Sequence, residues 1–448
     1  MTQDLTKGPI MKSMLLFAVP MILGNLLQQC YNIADTLIVG QYLGANALAA
    51  VGSSFTLMTF LTSILLGLCM GSGAYFSICK GENNENALKE GIFASFLFIF
   101  LVTVLLNVLT FSLTDQMKVF LRVPDEVWPL MRDYLTVIFC GITATFFYNY
   151  FASLLRAMGN SLIPLIFLAI SAVCNIVLDL WMIIGLDLGV FGAAAATVIS
   201  QYLSGIGIAI YTFCHFPTLR LKRRHCRLRL SCIQKIAGFS VLTCIQQSIM
   251  NLGILMVQGL VNSFGPVVMA AFAAAVKIDA FAYMPVQDFG NAFSTFIAQN
   301  YGAKKQDRIE KGFKCAVFCA LIFCLMISLA VFFFARPLML LFVKPTETAI
   351  LAEGVRYLRI EGSFYCGIGC LFLLYGLYRA IGKPGMSVVL TIISLGTRVL
   401  LAYLLSAVPS IGVTGIWWSV PIGWFLADLA GFLYYFFLHQ GRPRNLCG

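Results

Sequence analysis

The sequence predicts an all-α integral membrane protein of twelve transmembrane helices, arranged as two six-helix lobes related by a parallel repeat. Three observations carry this. Of 448 residues, 60% are hydrophobic and 11% charged, against roughly a quarter charged in a soluble domain. Residues 92–113, 134–155 and 315–335 carry no charge, and each run reaches the ~20 residues that cross a bilayer. The two halves of the chain also match each other. At an offset of 221, Gly44 falls on Gly265, Ala49-Ala50 on Ala270-Ala271, Gly81 on Gly302 and Gly91 on Gly312. At 223, Tyr134-Leu135 falls on Tyr357-Leu358, Arg156-Ala157 on Arg379-Ala380, and Gly159 on Gly382. Six spans per copy is an even number, so both copies keep one orientation and share an axis along the membrane normal.

Breaking the apolar runs at charges and turn residues places the spans in order. Span 1 covers 14–39, after Lys7 and Lys12. A basic start before an apolar run resembles a signal peptide, but no small-residue cleavage site follows, so it reads as an uncleaved span. The stretch 36–79 holds no charge over 44 residues. That is too long for one helix, so it contains the end of span 1 and all of span 2 (45–79). Spans 3 to 6 follow at 89–113, 128–156, 161–184 and 190–213. After a basic linker, spans 7 to 12 lie at 233–263, 266–299, 308–335, 350–379, 384–405 and 413–438. The domains expected are an amino lobe (1–215), a cytoplasmic linker (216–232) and a carboxyl lobe (233–448).

Lysine and arginine set the orientation. The termini and the even-to-odd connections hold 21 of the 30, seven of them from Arg220 to Lys235, whereas the opposite side holds seven. Both termini and the linker are therefore expected in the cytoplasm. This bias accounts for the net charge of +11 without a nucleic-acid partner. The fifteen cysteines are scattered through apolar runs with no zinc spacing and read as small packing residues.

Polar groups inside the spans need a reason, since an ionised one costs at least about 2.5–3.5 kcal/mol at mid-helix. Asn25, Gln28, Gln29, Asn32, Asp35 and Thr36 recur three and four apart on span 1, which puts them on one face. Span 5 repeats the pattern with Ser171, Asn175 and Asp179, and Thr197 follows on span 6. Two carboxylates, an amide and a hydroxyl offer oxygen ligands for a hard cation such as sodium; a desolvated carboxylate is equally a proton carrier. The residues leave both ions open. In the second half Asp179 is replaced by Ala402 and Asn175 by Arg398, while span 7 offers Gln246, Gln247, Asn251 and Gln258 without an acid. Its charges are Lys277, Asp279 and Asp288 on span 8, Glu361 on span 10 and Asp428 on span 12, read as structural ion pairs or substrate contacts. Pro20 interrupts span 1 and permits a bend.

Enzymatic chemistry finds no constellation. His215, His225 and His439 all sit at helix ends or in loops, and no GxxxxGK[ST] loop for ATP occurs.

The run from Tyr31 through Asp35-Thr36 to Gly44-Ala45 resembles the first-helix signature of the multidrug and toxic compound extrusion family. So do Arg156-Ala157-Met158-Gly159, the Asn175–Asp179 run, the Gly192–Thr197 run, Gln299–Ala303 and Tyr378–Gly382. The resemblance spans essentially the whole chain. It implies a V-shaped pair of lobes and antiport, exporting amphipathic, often cationic small molecules against inward proton or sodium flow. Its DinF-like branch implies a cation-coupling cluster, with sodium a candidate, at Asp35, Asn175, Asp179 and Thr197. Pro20 is then the hinge and Tyr134 an aromatic contact. NorM-like members use an acid on span 7, which is absent here. The cavity candidates are Gln28, Asn32, Tyr134, Gln246, Gln247, Asn251, Gln258, Asp279, Asp288 and Glu361. Expected with this are a monomer in the bacterial inner membrane, and no cofactor beyond the coupling ion. The rival reading, a lipid-linked-oligosaccharide flippase of the same architecture, wants a cavity dense in Arg or Lys, and only Lys277 and Arg398 are available.

Overall fold

The computed structural model describes residues 3–121, 123–226 and 228–440, and no strand occurs among them. The helices are α1 (Ile10–Tyr42), α2 (Gly44–Gly81), α3 (Glu85–Ser112), the short α4 (Thr114–Leu121), α5 (Trp128–Cys140), α6 (Ile142–Ala157), α7 (Leu162–Leu180), α8 (Gly189–His215), α9 (Leu230–Asn262), α10 (Pro266–Gly302), α11 (Gln306–Leu340), α12 (Thr348–Gly362), α13 (Tyr365–Ala380), α14 (Pro384–Ser406) and α15 (Val413–Gln440). Ten are long and apolar enough to cross a membrane, and twelve spans result when each of two bent pairs counts as one.

Those pairs refine the sequence reading of spans 4 and 10 as single helices. The chain bends by 41° between α5 and α6 and by 51° between α12 and α13. Gly141 sits at the first bend, where a Cβ would lie 2.9 Å from Val198 Cγ2 of α8 and 3.0 Å from the Ile138 carbonyl oxygen. Only glycine permits that approach. Span 5 ends in a π turn, Trp181–Gly185, that begins two residues after Asp179. Pro20, by contrast, lies within an unbroken α1.

By contacts the chain divides into Met1–Ser248 with Ala298–Lys305, and Ile249–Ile297 with Gln306–Gly448. The units cut through α9 and α10 and do not follow the boundaries of the duplicated halves. Small residues explain why the first unit claims both pieces. At Gly71 a Cβ would meet the Phe239 carbonyl oxygen at 2.4 Å, and at Gly67 the Cys244 Cα at 2.5 Å; the Ser72 and Ser240 hydroxyls bond at 2.8 Å beside them. Such close backbone approach is how helices associate where lipid removes the hydrophobic drive. The ends of α2 and α10 cross reciprocally. A Cβ on Gly81 would lie 2.0 Å from the Gln299 carbonyl oxygen, and one on Gly302 would lie 2.1 Å from that of Ile78. Both pairs are related by the offset of 221, so this contact is symmetric within the repeat.

The amino-terminal segment is strapped onto the same place. The Gln3 N–H donates to the Gly159 carbonyl at 2.9 Å, and Leu5 is fully buried. Leu5 N–H donates to Gln299 Oε1 at 3.3 Å, while its carbonyl accepts from Asn300 Nδ2 at 3.1 Å. Lys305 Nζ donates to the Thr6 carbonyl at 2.8 Å.

The core of the first unit is aromatic, with Phe96, Phe146 and Tyr150 within 5.3–5.6 Å of one another by ring centroid. The Tyr150 hydroxyl donates to the Ile92 carbonyl at 2.7 Å, which satisfies the polar end of a buried ring. In the second unit Trp417 stacks on Phe272 at 5.5 Å and meets Tyr357 edge-on at 4.9 Å. Its indole N–H donates to Glu353 at 2.7 Å.

Candidate functional site

The first unit brings polar side chains of α1, α5, α7 and α8 together. Asn175 and Asp179 stand one turn apart on α7, 1% and 0% exposed. Oriented so that both ends of its amide are matched, Asn175 donates from Nδ2 to Asp179 Oδ2 at 2.9 Å. Its Oδ1 then accepts from the Thr197 hydroxyl and backbone N–H of α8, each at 3.2 Å. From α1, the Asp35 carboxyl lies against that of Asp179. Two carboxylates side by side in a dry site cannot both ionise, so the pair shares one proton. The remaining oxygens, Asp35 Oδ1 and Asp179 Oδ1, are buried without a partner.

Two tyrosines close the group. Tyr134 of α5 is buried and faces Asp35 and Asp179. Tyr31 of α1 bonds the Thr197 side chain and faces the same two acids. Tyr31 was not assigned a role from sequence, although it stands one turn before Asp35 on the same helical face, a signal sufficient to find it. The arrangement supplies acceptor oxygens around a carboxyl pair with unused lone pairs, chemistry that holds a proton or a small hard cation.

Of the other sequence-derived candidates, Asp279 and Glu361 come together in the second unit, 4% and 2% exposed. The Tyr365 hydroxyl of α13 donates to Asp279 Oδ1 at 2.6 Å, Tyr357 stands on Glu361, and the two carboxyls face each other. Arg398 of α14 and Tyr283 of α10 lie within electrostatic reach. The rest of the set is dispersed. Asp288 is buried elsewhere on α10, and Gln258 Nε2 bonds Asn262 of its own helix at 2.9 Å. Gln246 is buried with Oε1 unpartnered, and the Asn32 carbonyl takes the Thr36 hydroxyl at 2.8 Å. Gln28 is exposed, and Gln247 and Asn251 are half-buried. Among the described residues no three of His, Cys, Asp and Glu converge as a metal-ion cluster.

The sequence profile named MatE matches twice, over residues 20–181 and 241–404. The chain belongs to the MatE family. The two matches start 221 residues apart and end 223 apart, the same offsets that align the halves. Relatives of this MatE protein include the probable multidrug resistance protein YpnP of Bacillus subtilis, 29% identical over 96% of each chain. The multidrug export protein MepA of Staphylococcus haemolyticus is 25% identical over 98% of this chain and 95% of its own. Among solved structures, a MATE protein crystallised in a bent conformation superposes with a TM-score of 0.92 at 23% identity, covering 98% of each chain. The fold is that of a MATE transporter: a multi-pass membrane protein of a multidrug efflux family.

Proposed function

We propose that this MatE protein is a secondary active antiporter that exports amphipathic, often cationic small molecules in exchange for protons or sodium ions. The observation that carries the reading is the Asp35–Asp179 carboxyl pair, held by Asn175 and Thr197 and capped by Tyr31 and Tyr134. A buried pair with one proton carries one negative charge, and placing that charge in hydrocarbon is costly. Binding a second proton or a sodium ion cancels it, so cation occupancy and the conformation of α1 are coupled. Pro20, which cannot donate an intrahelical hydrogen bond, is the place where α1 yields when occupancy changes. The multidrug names of the relatives YpnP and MepA support the substrate class proposed.

The protein works as a monomer in the bacterial inner membrane, with both termini and the basic linker in the cytoplasm. It needs no ATP, no cofactor beyond the coupling ion and no nucleic-acid partner. Labelling of a cysteine placed in the linker from outside intact cells would overturn this orientation.

Dye efflux from proteoliposomes with separately imposed proton and sodium gradients tests the reading. One gradient is expected to drive uphill efflux, and efflux indifferent to both removes antiport. In the same vesicles Pro20→Ala is expected to slow transport without loss of folded protein; an unchanged rate rejects the hinge.

A further inference from the structure

The second unit contains a second buried acid pair beside a repeat-related tyrosine, and there Arg398 stands at the position of Asn175. The register is fixed by packing. In the first unit the Ser171 hydroxyl of α7 donates to the Ser200 carbonyl of α8 at 3.0 Å. At the positions 223 residues later, Ser394 of α14 meets Gly423 of α15, where a Cβ would come within 2.4 Å of the Ser394 carbonyl oxygen. One turn beyond the serine stands Asn175 in the first unit and Arg398 in the second. The tyrosines Tyr134 and Tyr357 are likewise counterparts, and each faces a pair of carboxyls set against one another. In the first unit the acids come from α1 and α7; in the second, Asp279 comes from α10 and Glu361 from α12.

The charge count separates the two centres. Each acid pair sets two carboxyls against one another in a dry site, where two like charges cannot both persist, so it holds one proton and retains one negative charge. Among the described residues the first centre has no cationic side chain, so a mobile cation neutralises it. The second has a guanidinium, which stays charged in proteins. Its Nε and the Glu361 Oε2 are each buried without a hydrogen-bond partner, and Arg398 acts on both acids through its field, which is strong in a low-dielectric interior. Tyr365 on Asp279 and Tyr357 on Glu361 fix the remaining oxygens, and Tyr283 faces the group from α10.

We propose that Arg398 is a tethered counter-ion that takes the place of the coupling cation in the second unit, so that the Asp279–Glu361 pair keeps its single proton throughout transport and only the first unit exchanges ions. This rests on the antiport reading above. It predicts that the Arg398→Asn variant, which restores the first unit's residue, creates a second exchanging site.

The test uses the purified full-length protein in proteoliposomes loaded with ethidium, with the membrane potential clamped at zero. The slope of log ethidium ratio against log coupling-ion gradient gives the ions moved per dye. Arg398→Asn is expected to raise that slope by one, a further tenfold in dye ratio per tenfold ion gradient. The double variant Arg398→Asn with Glu361→Gln, neutral without the guanidinium, is expected to return the slope to the wild-type value. A wild-type slope for folded Arg398→Asn overturns the proposal. Where that variant yields no folded protein, the double variant decides: a slope differing from wild type overturns it and an equal slope supports it. Asp35→Asn is run alongside. If it leaves coupling intact, the antiport reading itself fails, whatever Arg398→Asn does.

Discussion

Asp35→Asn abolishes uphill efflux, and Asp179→Asn reduces it severely. Asparagine keeps the shape and the capacity to hydrogen-bond, but it removes the exchangeable charge from a centre whose other members are neutral: Asn175, Thr197, Tyr31 and Tyr134. Asp35 reaches the pair from α1, whereas Asp179 is anchored to Asn175 on its own helix. Loss of Asp35 therefore severs the link between ion occupancy and the movement of α1, while loss of Asp179 weakens cation binding at a site that keeps its frame. The drive is about 1.4 kcal/mol per tenfold ion gradient, plus about 2.3 kcal/mol per charge per 100 mV. Losing one coupling ion thus stops accumulation against a gradient. Efflux at matched expression is the measurement, with Glu361→Gln and Asp279→Asn as comparisons expected to alter substrate range more than coupling. If Asp35→Asn still pumps uphill and Glu361→Gln does not, coupling lives in the second unit.

Gly81→Ala and Gly302→Ala each destabilise the fold, although alanine is the better helix former by roughly 1 kcal/mol. The added methyl would stand 2.0 Å from the Gln299 carbonyl oxygen in the first case and 2.1 Å from that of Ile78 in the second. Both obstacles are backbone and neither can rotate away. The helices must separate by more than an ångström, which also strains the hydrogen bonds that Gln299 and Asn300 make to Leu5 and Ala157. Overpacking of this kind costs about 1–3 kcal/mol, and valine at either position is expected to cost more. Gly238→Ala is the control, since apart from its chain neighbours and its own helix backbone no atom lies within 4 Å of its Cβ position. Thermal unfolding followed by size-exclusion chromatography in detergent reads the effect. A melting temperature for Gly81→Ala equal to that of the control would show that the crossing is slack.

Much of this was legible without coordinates. The apolar runs, the basic bias and the 221–223 offset follow from composition and spacing, because a bilayer imposes one length and one polarity on each span whatever it packs against. The residues Asp35, Asn175 and Asp179 could be singled out because each stands in a polar pattern local to one helix, and their grouping with Thr197 across three helices was implied by the family resemblance. Gly141 was visible, but the 41° bend beside it was not, since an apolar count over 128–156 is the same for a straight helix and a broken one.

The sequence by itself thus determined the membrane class, the duplication and the amino-unit acids, all of which rest on residues near each other in the chain or on a repeat. Only the tertiary structure decided which side chains from different helices meet. It brought Tyr31 to Thr197, Asp279 to Glu361 across 82 positions, and Arg398 to both acids. It also drew the unit boundaries through α9 and α10. Helical periodicity states which face a residue occupies, but not which helix that face finds. That choice is made by shape, at glycines such as Gly71, Gly81 and Gly302, where the absence of a side chain lets one backbone lie against another.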